Sequence, residues 1–314
     1  MQSKDSMVTD FAQQILNQIR SVVVGKDQVL LWVLAAILAR GHILLEDIPG
    51  VGKTTMALAF SKVLDLQYSR VQFTPDVMPS DLTGFSLYNK STGQMEYQPG
   101  ALLSNLFLAD ELNRATSRTQ SALLEAMEEG QVSVDGVTHL LPKPFVVIAT
   151  QNPLGAAGTE LLPDSQLDRF MIRLTLGYPA PRDEVAMVLR RQEGGALSGL
   201  EPLLTREALT LLQDTVEATF VSDPVIQYIV DLICATRQQE AVARGASPRA
   251  TIALTAMAKA VARLRGRDYV VPGDVREVYS LTLAHRIVLT PQSQASAEDV
   301  LKDILGKIPA PRVR

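Results

Sequence analysis

Along the first forty residues the apolar positions recur at helical spacing. Val8, Phe11, Ala12, Ile15, Leu16 and Ile19 define one face of a short amphipathic helix. A second helix follows, with Asp27 as its N-cap, Arg40 in its last turn and Gly41 just beyond. Its apolar body calls for burial against a sheet. From residue 41 to about 176 the pattern changes to short apolar runs separated by helical stretches. His42–Glu46, Arg70–Phe73, Leu106–Asp110, Phe145–Thr150 and Met171–Leu176 read as strands. Runs dense in Ile, Val and Leu suggest a sheet covered on both faces, and the interleaved helices make it mostly parallel.

Tyr178-Pro179-Ala180-Pro181 is a stiff linker, because neither proline tolerates a continuing helix or central strand. Beyond it, residues 182–193, 205–219, 224–240, 248–265 and 274–285 read as helices, with no strong strand among them. Pro224 fits a first helical turn after Ser222 and Asp223, and Gly266 closes the fourth helix. The expected division is an α/β domain over residues 1–178 and a small helical domain over 182–314. No repeat of twenty to fifty residues interrupts either one.

Composition narrows the classes. With 314 residues, 46% of them hydrophobic, the chain can offset its entropy and fold. A formal charge of -4 disfavours a nucleic-acid backbone as the main partner. Cys234 is the single cysteine, so an internal disulfide is excluded; its apolar setting reads as core. His42, His139 and His285 lie far apart without metal-ligand spacing. The start MQSKDSMVTDF lacks a signal-peptide stretch, and the longest apolar run, Val29 to Ala39, is shorter than the about 20 residues a bilayer requires. A cytoplasmic protein with no membrane span is the expectation.

The densest chemistry lies in Ile43-Leu44-Leu45-Glu46-Asp47-Ile48-Pro49-Gly50-Val51-Gly52-Lys53-Thr54-Thr55. A strand, a glycine turn and a helix opening at Gly-Lys-Thr form a loop that cradles phosphate. Gly50 and Gly52 let consecutive backbone N–H groups turn inward, and the helix adds the positive end of its dipole. Lys53 would neutralise the β- and γ-phosphates, and Thr54 would offer its hydroxyl to Mg²⁺. The strict pattern has glycine where this chain has Asp47; the position tolerates a side chain if its φ is negative. An ordinary strand–turn–helix would leave the Gly-x-Gly-Lys-Thr-Thr string unexplained.

Further acids and cations fall at the ends of later strands. Leu106-Phe107-Leu108-Ala109-Asp110-Glu111 places two carboxylates where the strand ends of a parallel sheet gather. Asp110 would hold Mg²⁺ through its waters and Glu111 would polarise an attacking water. Two acids at a strand end are ordinarily solvated charges, and the phosphate loop is what gives these a task. Asn152, after the next strand, could orient that water, although a lone Asn-Pro is usually only a turn. Arg169 and Arg249 are candidate phosphate-binding guanidiniums.

Taken in order, GVGKTT, QFTPDVMPSDLTG, LFLADELNRA, ATQNP, LDRF and GASPRA resemble the AAA+ ATPases, and more narrowly the MoxR family, over roughly residues 10 to 290. The resemblance implies a five-stranded sheet in the order 5-1-4-3-2, followed by a helical lid. It makes Gly50, Val51, Gly52, Lys53, Thr54 and Thr55 the Walker A loop, Asp110 and Glu111 the Walker B pair, and Asn152 sensor 1. Arg169 matches an arginine finger reaching a neighbouring subunit, Arg249 matches sensor 2, and Arg114 would be another intersubunit or sensor arginine. Val23, Val24 and Gly25 lie where the family's adenine pocket begins. A finger acting in trans implies a homo-oligomeric ring, most simply a hexamer.

Two insertions fit the same resemblance. Residues 75–100, with Phe85, Tyr88 and Tyr97, match a helix-2 insert. Residues 131–141 form a hairpin about an Asp135-Gly136 turn of the I′ kind, matching one placed before sensor 1. In relatives both face the pore or the client; plain packing is the competing reading for the aromatics. The implied activity is that of an ATP- and Mg²⁺-dependent chaperone that remodels or activates a protein complex, with a von Willebrand factor A domain protein as partner. Two rivals share the motifs. A nucleic-acid motor would bind DNA with steep salt dependence, and a metal-chelatase ATPase subunit would need a tetrapyrrole-handling partner. A scaffold that binds ATP without hydrolysing it is disfavoured by the intact Asp110–Glu111 pair.

Overall fold

A computed structural model describes residues 4–48, 50–152, 162–192 and 196–312. Two N-terminal helices, α1 (Lys4–Arg20) and α2 (Asp27–Leu38), precede strand β1 (Ile43–Glu46). Helix α3 (Lys53–Val63) and strand β2 (Tyr68–Gln72) follow. Next come α4 (Pro79–Thr83), the hairpin β3 (Gly84–Asn89) and β4 (Gln94–Pro99), and β5 (Leu106–Asp110). Helix α5 (Ser117–Glu129) leads to a second hairpin, β6 (Gln131–Val134) and β7 (Val137–Leu140). Strand β8 (Val146–Gln151), the short α6 (Asp164–Leu167) and β9 (Ile172–Leu174) complete this part.

The central sheet runs β2-β5-β8-β1-β9, every pair parallel, which is the 5-1-4-3-2 order counted over the five core strands. Alternate strand residues face opposite sides, and both sides are buried. Ile43, Leu45, Leu106, Leu108, Val146 and Ile148 pack on one face with α1 to α3, while Leu44, Phe107, Ala109, Val147 and Ala149 pack on the other with Leu123, Leu124 and Phe170. The side chain of Phe107 is fully buried, and its truncation to alanine would cost about 3–5 kcal/mol. Register brings Gln72 beside Asp110 and Glu46 beside Gln151, so the carboxyl ends of four strands share one edge.

The helical part holds α7 (Pro181–Gln192), α8 (Arg206–Glu217), α9 (Asp223–Gln238), α10 (Pro248–Leu264), α11 (Pro272–Leu283) and α12 (Ala297–Lys307). It also contains a strand pair absent from the sequence reading, β10 (Val242–Arg244) against β11 (Val288–Leu289), and α12 itself was not anticipated. Strands of two or three residues are too short to show a period. The apolar cluster of the N-terminal helices continues into Leu209, Leu212, Leu254 and Met257, so α8 and α10 pack on α1 and α2.

Three local expectations change. Asp27 is the first residue of α2 rather than its cap, and its carboxylate pairs with Arg20 at 2.6 Å. The helix ends at Leu38; Arg40 lies beyond it at φ 59° and reaches Asp214 and Glu217 of α8. Cys234 is half-buried, on the flank of α9 rather than in its core row. The 131–141 hairpin matches expectation, with Asp135 and Gly136 both at positive φ.

Candidate active site

The turn after β1 places Gly50 at φ 87° and Gly52 at φ 98°, and a Cβ on either would meet no atom within 4 Å. These are conformations that L side chains rarely adopt, and the open space beside them is the concave side of the loop. Gly52 caps α3, so Lys53 and Thr54 open that helix with their N–H groups at its positive end. Pro49 lies outside the described residues.

The Lys53 ammonium donates to the carbonyls of Asp47 (3.0 Å) and Ile48 (2.8 Å). Partial burial pushes its pKa down, against the pull of Asp47, Asp110 and Glu111. Asp47, the departure from the strict loop pattern, turns away from the cradle. Its buried carboxylate accepts the N–H groups of Leu176 and Gly177 after β9. From the opposite side Lys26 donates to the carbonyls of Leu176 (2.6 Å), Gly177 and Tyr178. The start of the linker is thus clamped between the Asp47 carboxylate and Lys26, a cation that no motif singled out.

On the facing strand, Asp110 is tied by both oxygens. Oδ1 accepts the Thr150 hydroxyl at 2.8 Å and Oδ2 accepts Arg70 at 2.7 Å. The same Thr150 hydroxyl oxygen accepts the N–H of Glu111 at 2.8 Å. That bond steadies Glu111 at φ 57°, a left-handed position costly for a residue with a side chain. Arg114 pairs with the Glu111 carboxylate at 2.8 Å. The cleft of about 350 Å³ between loop and strand ends is lined by Lys53, Thr54, Arg70, Asp110, Glu111 and Asn152, among others. The carbonyl of Asn152 accepts from Asn113, and Pro153 lies outside the described residues.

Next to this cleft, and sharing Gly50, Gly52 and Thr55 with it, lies a more apolar pocket of about 420 Å³. Val22, Val23, Val24, Val51, Met187 and Val188 line it. Gly25 is not in its wall but behind it; at φ 69° it lets the Asp183 side chain pack where a Cβ would collide. A polar cleft with a cation beside an apolar pocket is the shape of a nucleotide, phosphates at one end and base at the other.

A metal ion fits the same cleft by its donors. Thr54 and Asp110 offer hard oxygens, and the described residues contain no group of three or more His, Cys, Asp or Glu able to form a cage. Mg²⁺ characteristically takes one or two protein oxygens and completes its shell with phosphate and water.

Arg169 and Arg249 do not line this cleft. They converge elsewhere, on Glu128 near the end of α5, with Arg169 at 3.2 Å and Arg249 on the other carboxylate oxygen. Asp168 joins the segments that carry the two arginines: it precedes Arg169, accepts the hydroxyl of Ser247, the cap of α10, at 2.7 Å, and pairs with Arg286 at 3.1 Å. Arg286 is buried, and desolvation pushes its pKa down to about 10. His42 supports the same corner, its Nε2 against the Met127 carbonyl and its Nδ1 accepting from Val147. Burial pushes His42 down to about 4, so it is neutral there.

The three-layer sheet with its phosphate loop and helical lid defines an AAA+ P-loop ATPase fold. A family model described as the ATPase family associated with various cellular activities (AAA) matches residues 42–172, and an AAA lid domain model matches 234–304. The chain is 44% identical to the uncharacterized protein YeaC of Bacillus subtilis, covering 94% of this chain and 93% of that one. It is 38% identical to the chaperone MoxR1 of Mycobacterium tuberculosis, covering 96% and 82%. A crystal structure from Cytophaga hutchinsonii, of a protein assigned as an ATPase, superposes with a TM-score of 0.92 at 35% identity, covering 98% and 97%. The protein belongs to the MoxR family of AAA+ ATPases.

Proposed function

We propose that the protein hydrolyses ATP and uses the cycle as a chaperone-like motor to remodel or activate a protein complex. The observation that supports this most is the meeting of the phosphate loop with the Asp110–Glu111 strand end in one cleft, beside an apolar pocket of base size. In this reading the loop amides and Lys53 bind the phosphates, Lys53 trading its two carbonyl partners for phosphate oxygens. Val24 and its neighbours receive the base. Thr54 and Asp110 hold Mg²⁺, which when bound neutralises charge on the β- and γ-phosphates. Glu111 polarises the water and Asn152 orients it.

Arg169 and Arg249 complete the site from a neighbouring copy. Their convergence on Glu128, outside their own cleft, supports action in trans for both, and with it a closed, head-to-tail ring such as a hexamer. Arg114, paired with Glu111 in its own chain, is left out of that set. The β3–β4 hairpin exposes Phe85, Leu87, Tyr88 and Met95, an apolar tip suited to a client. Tyr97 instead stacks on His139 and donates to the Thr83 carbonyl, so it joins the two hairpins. A von Willebrand factor A domain partner and a cytoplasmic site of action rest on the family resemblance; among the described residues no helix is long and apolar enough to cross a membrane.

A capture experiment tests the chaperone reading. Glu111→Gln protein loaded with ATP should retain a client complex containing a von Willebrand factor A domain protein, and ADP should release it. DNA bound with a steep salt dependence would favour the motor reading instead.

A further inference from the structure

Each acid of the Asp110–Glu111 pair is held by an arginine, Glu111 by Arg114 and Asp110 by Arg70. Arg70 enters from β2, a strand to which no sequence motif gave a task. Strand alternation puts Tyr68, Arg70 and Gln72 on one face, and Arg70 and Gln72 both reach the phosphate cleft.

The two oxygens of Asp110 are held differently. Oδ1 is fixed by Thr150, whose backbone is held in the β8 ladder and whose hydroxyl also accepts the Glu111 N–H. Among the described residues, Oδ2 is held by the guanidinium of Arg70 alone. Of these two partners Asp110 is the fixed one, its side chain 13% exposed against 40% for Arg70. Arg70 is therefore the member free to leave, and Oδ2 the oxygen its departure would open. Lys53 is placed the same way, its charge resting on protein oxygens at the other end of the cleft.

We propose that Arg70 is a positioning residue that acts as a metal-exchange clasp. It neutralises Asp110 while no metal is near, and it gives up Oδ2 to the water shell of Mg²⁺ as the metal is bound. The chemistry suits the exchange. A guanidinium and a hydrated divalent cation compete for one carboxylate oxygen, and an always-charged guanidinium can be displaced from it but not neutralised. Arg70 thereby sets how much Mg²⁺ the site requires. Arg114 cannot do the same, because its partner is the water-polarising carboxylate.

This inference rests on the nucleotide reading above, and one titration separates the two. Binding of a fluorescent, non-hydrolysable ATP analogue is followed in the full-length protein as Mg²⁺ is raised from an EDTA-chelated start. Arg70→Gln should lower the Mg²⁺ midpoint by roughly threefold, the order expected for removing one half-exposed competing ion pair. Arg70→Lys, which keeps a cation, should return it toward the wild-type value. Arg114→Gln should leave the midpoint where it is. A midpoint in Arg70→Gln that is unchanged or raised overturns the clasp. So does a Lys variant as shifted as the Gln variant, or an equal shift in Arg114→Gln. If the wild-type protein binds no analogue at saturating Mg²⁺, the nucleotide reading itself fails.

Discussion

The protein builds two clusters from the same residue types, and they differ in what they face. In the cleft, Lys53, Arg70, Asp110 and Glu111 come from one helix start, strand β2 and the end of β5, and surround a space large enough for a triphosphate. At the Glu128 corner, Arg169 and Arg249 come from the turn before β9 and the first turn of α10, and they neutralise a single carboxylate. The first cluster encloses a cleft within one chain. The second is a pair of cations held ready on a surface, their segments joined through Asp168, Ser247 and Arg286. Under the proposed function, one chain would carry the nucleotide and the next part of the catalyst.

The largest effect that could break this division is on turnover. Arg169→Ala should keep ATP binding within about twofold yet lose hydrolysis by about a thousandfold, the scale of an arginine finger. A filter-binding assay beside a phosphate-release assay checks both halves. On the cleft side, Lys53→Ala should weaken ATP binding by about a hundredfold or more, roughly 3 kcal/mol, measured by calorimetry. Glu111→Gln should bind ATP as the wild type does and turn over about a hundredfold more slowly, as removal of a general base predicts. If Lys53→Ala and Arg169→Ala fail in the same way, the two clusters are one site.

A smaller effect sharpens the comparison through pH. His42 props the end of α5 that carries Glu128, and it is held neutral by burial with its pKa near 4, against an ordinary 6.5. The unfolded chain therefore takes up the proton first. Its contribution is whole above pH 6.5 and drains as the pH falls toward 4, costing about 2 kcal/mol of stability at pH 5. His285, lowered in the same direction by burial, adds to the trend from beneath Phe170. Urea midpoints at pH 7 and pH 5 should show this loss, and His42→Gln should reduce the difference.

Much of this was readable before any coordinates. Leu106–Asp110 is legible to the residue because an unbroken apolar run ends in charge, and the sheet order is what the family resemblance implies. What escaped were pairings made across the fold. Nothing about Arg70 in Tyr68-Ser69-Arg70-Val71-Gln72 signals that register will set its strand beside Asp110. Glu128 is an ordinary helix acid until two arginines from distant segments land on it. Lys26 and Asp47 likewise acquire their task only when residues 176–178 pass between them. Helix α12 was overlooked although Ser296 and Asp299 form a capping box at its start, a signal that was present to be read.

Mixing two defective chains tests the central claim most directly. Lys53→Ala cannot bind nucleotide but keeps its arginines; Arg169→Ala binds nucleotide but lacks its finger. Co-assembled in equal amounts, they should regain hydrolysis at about a quarter of the interfaces, those where an intact finger meets an intact loop across the head-to-tail contact. A mixture as inactive as either chain alone would contradict a catalytic site divided between neighbours.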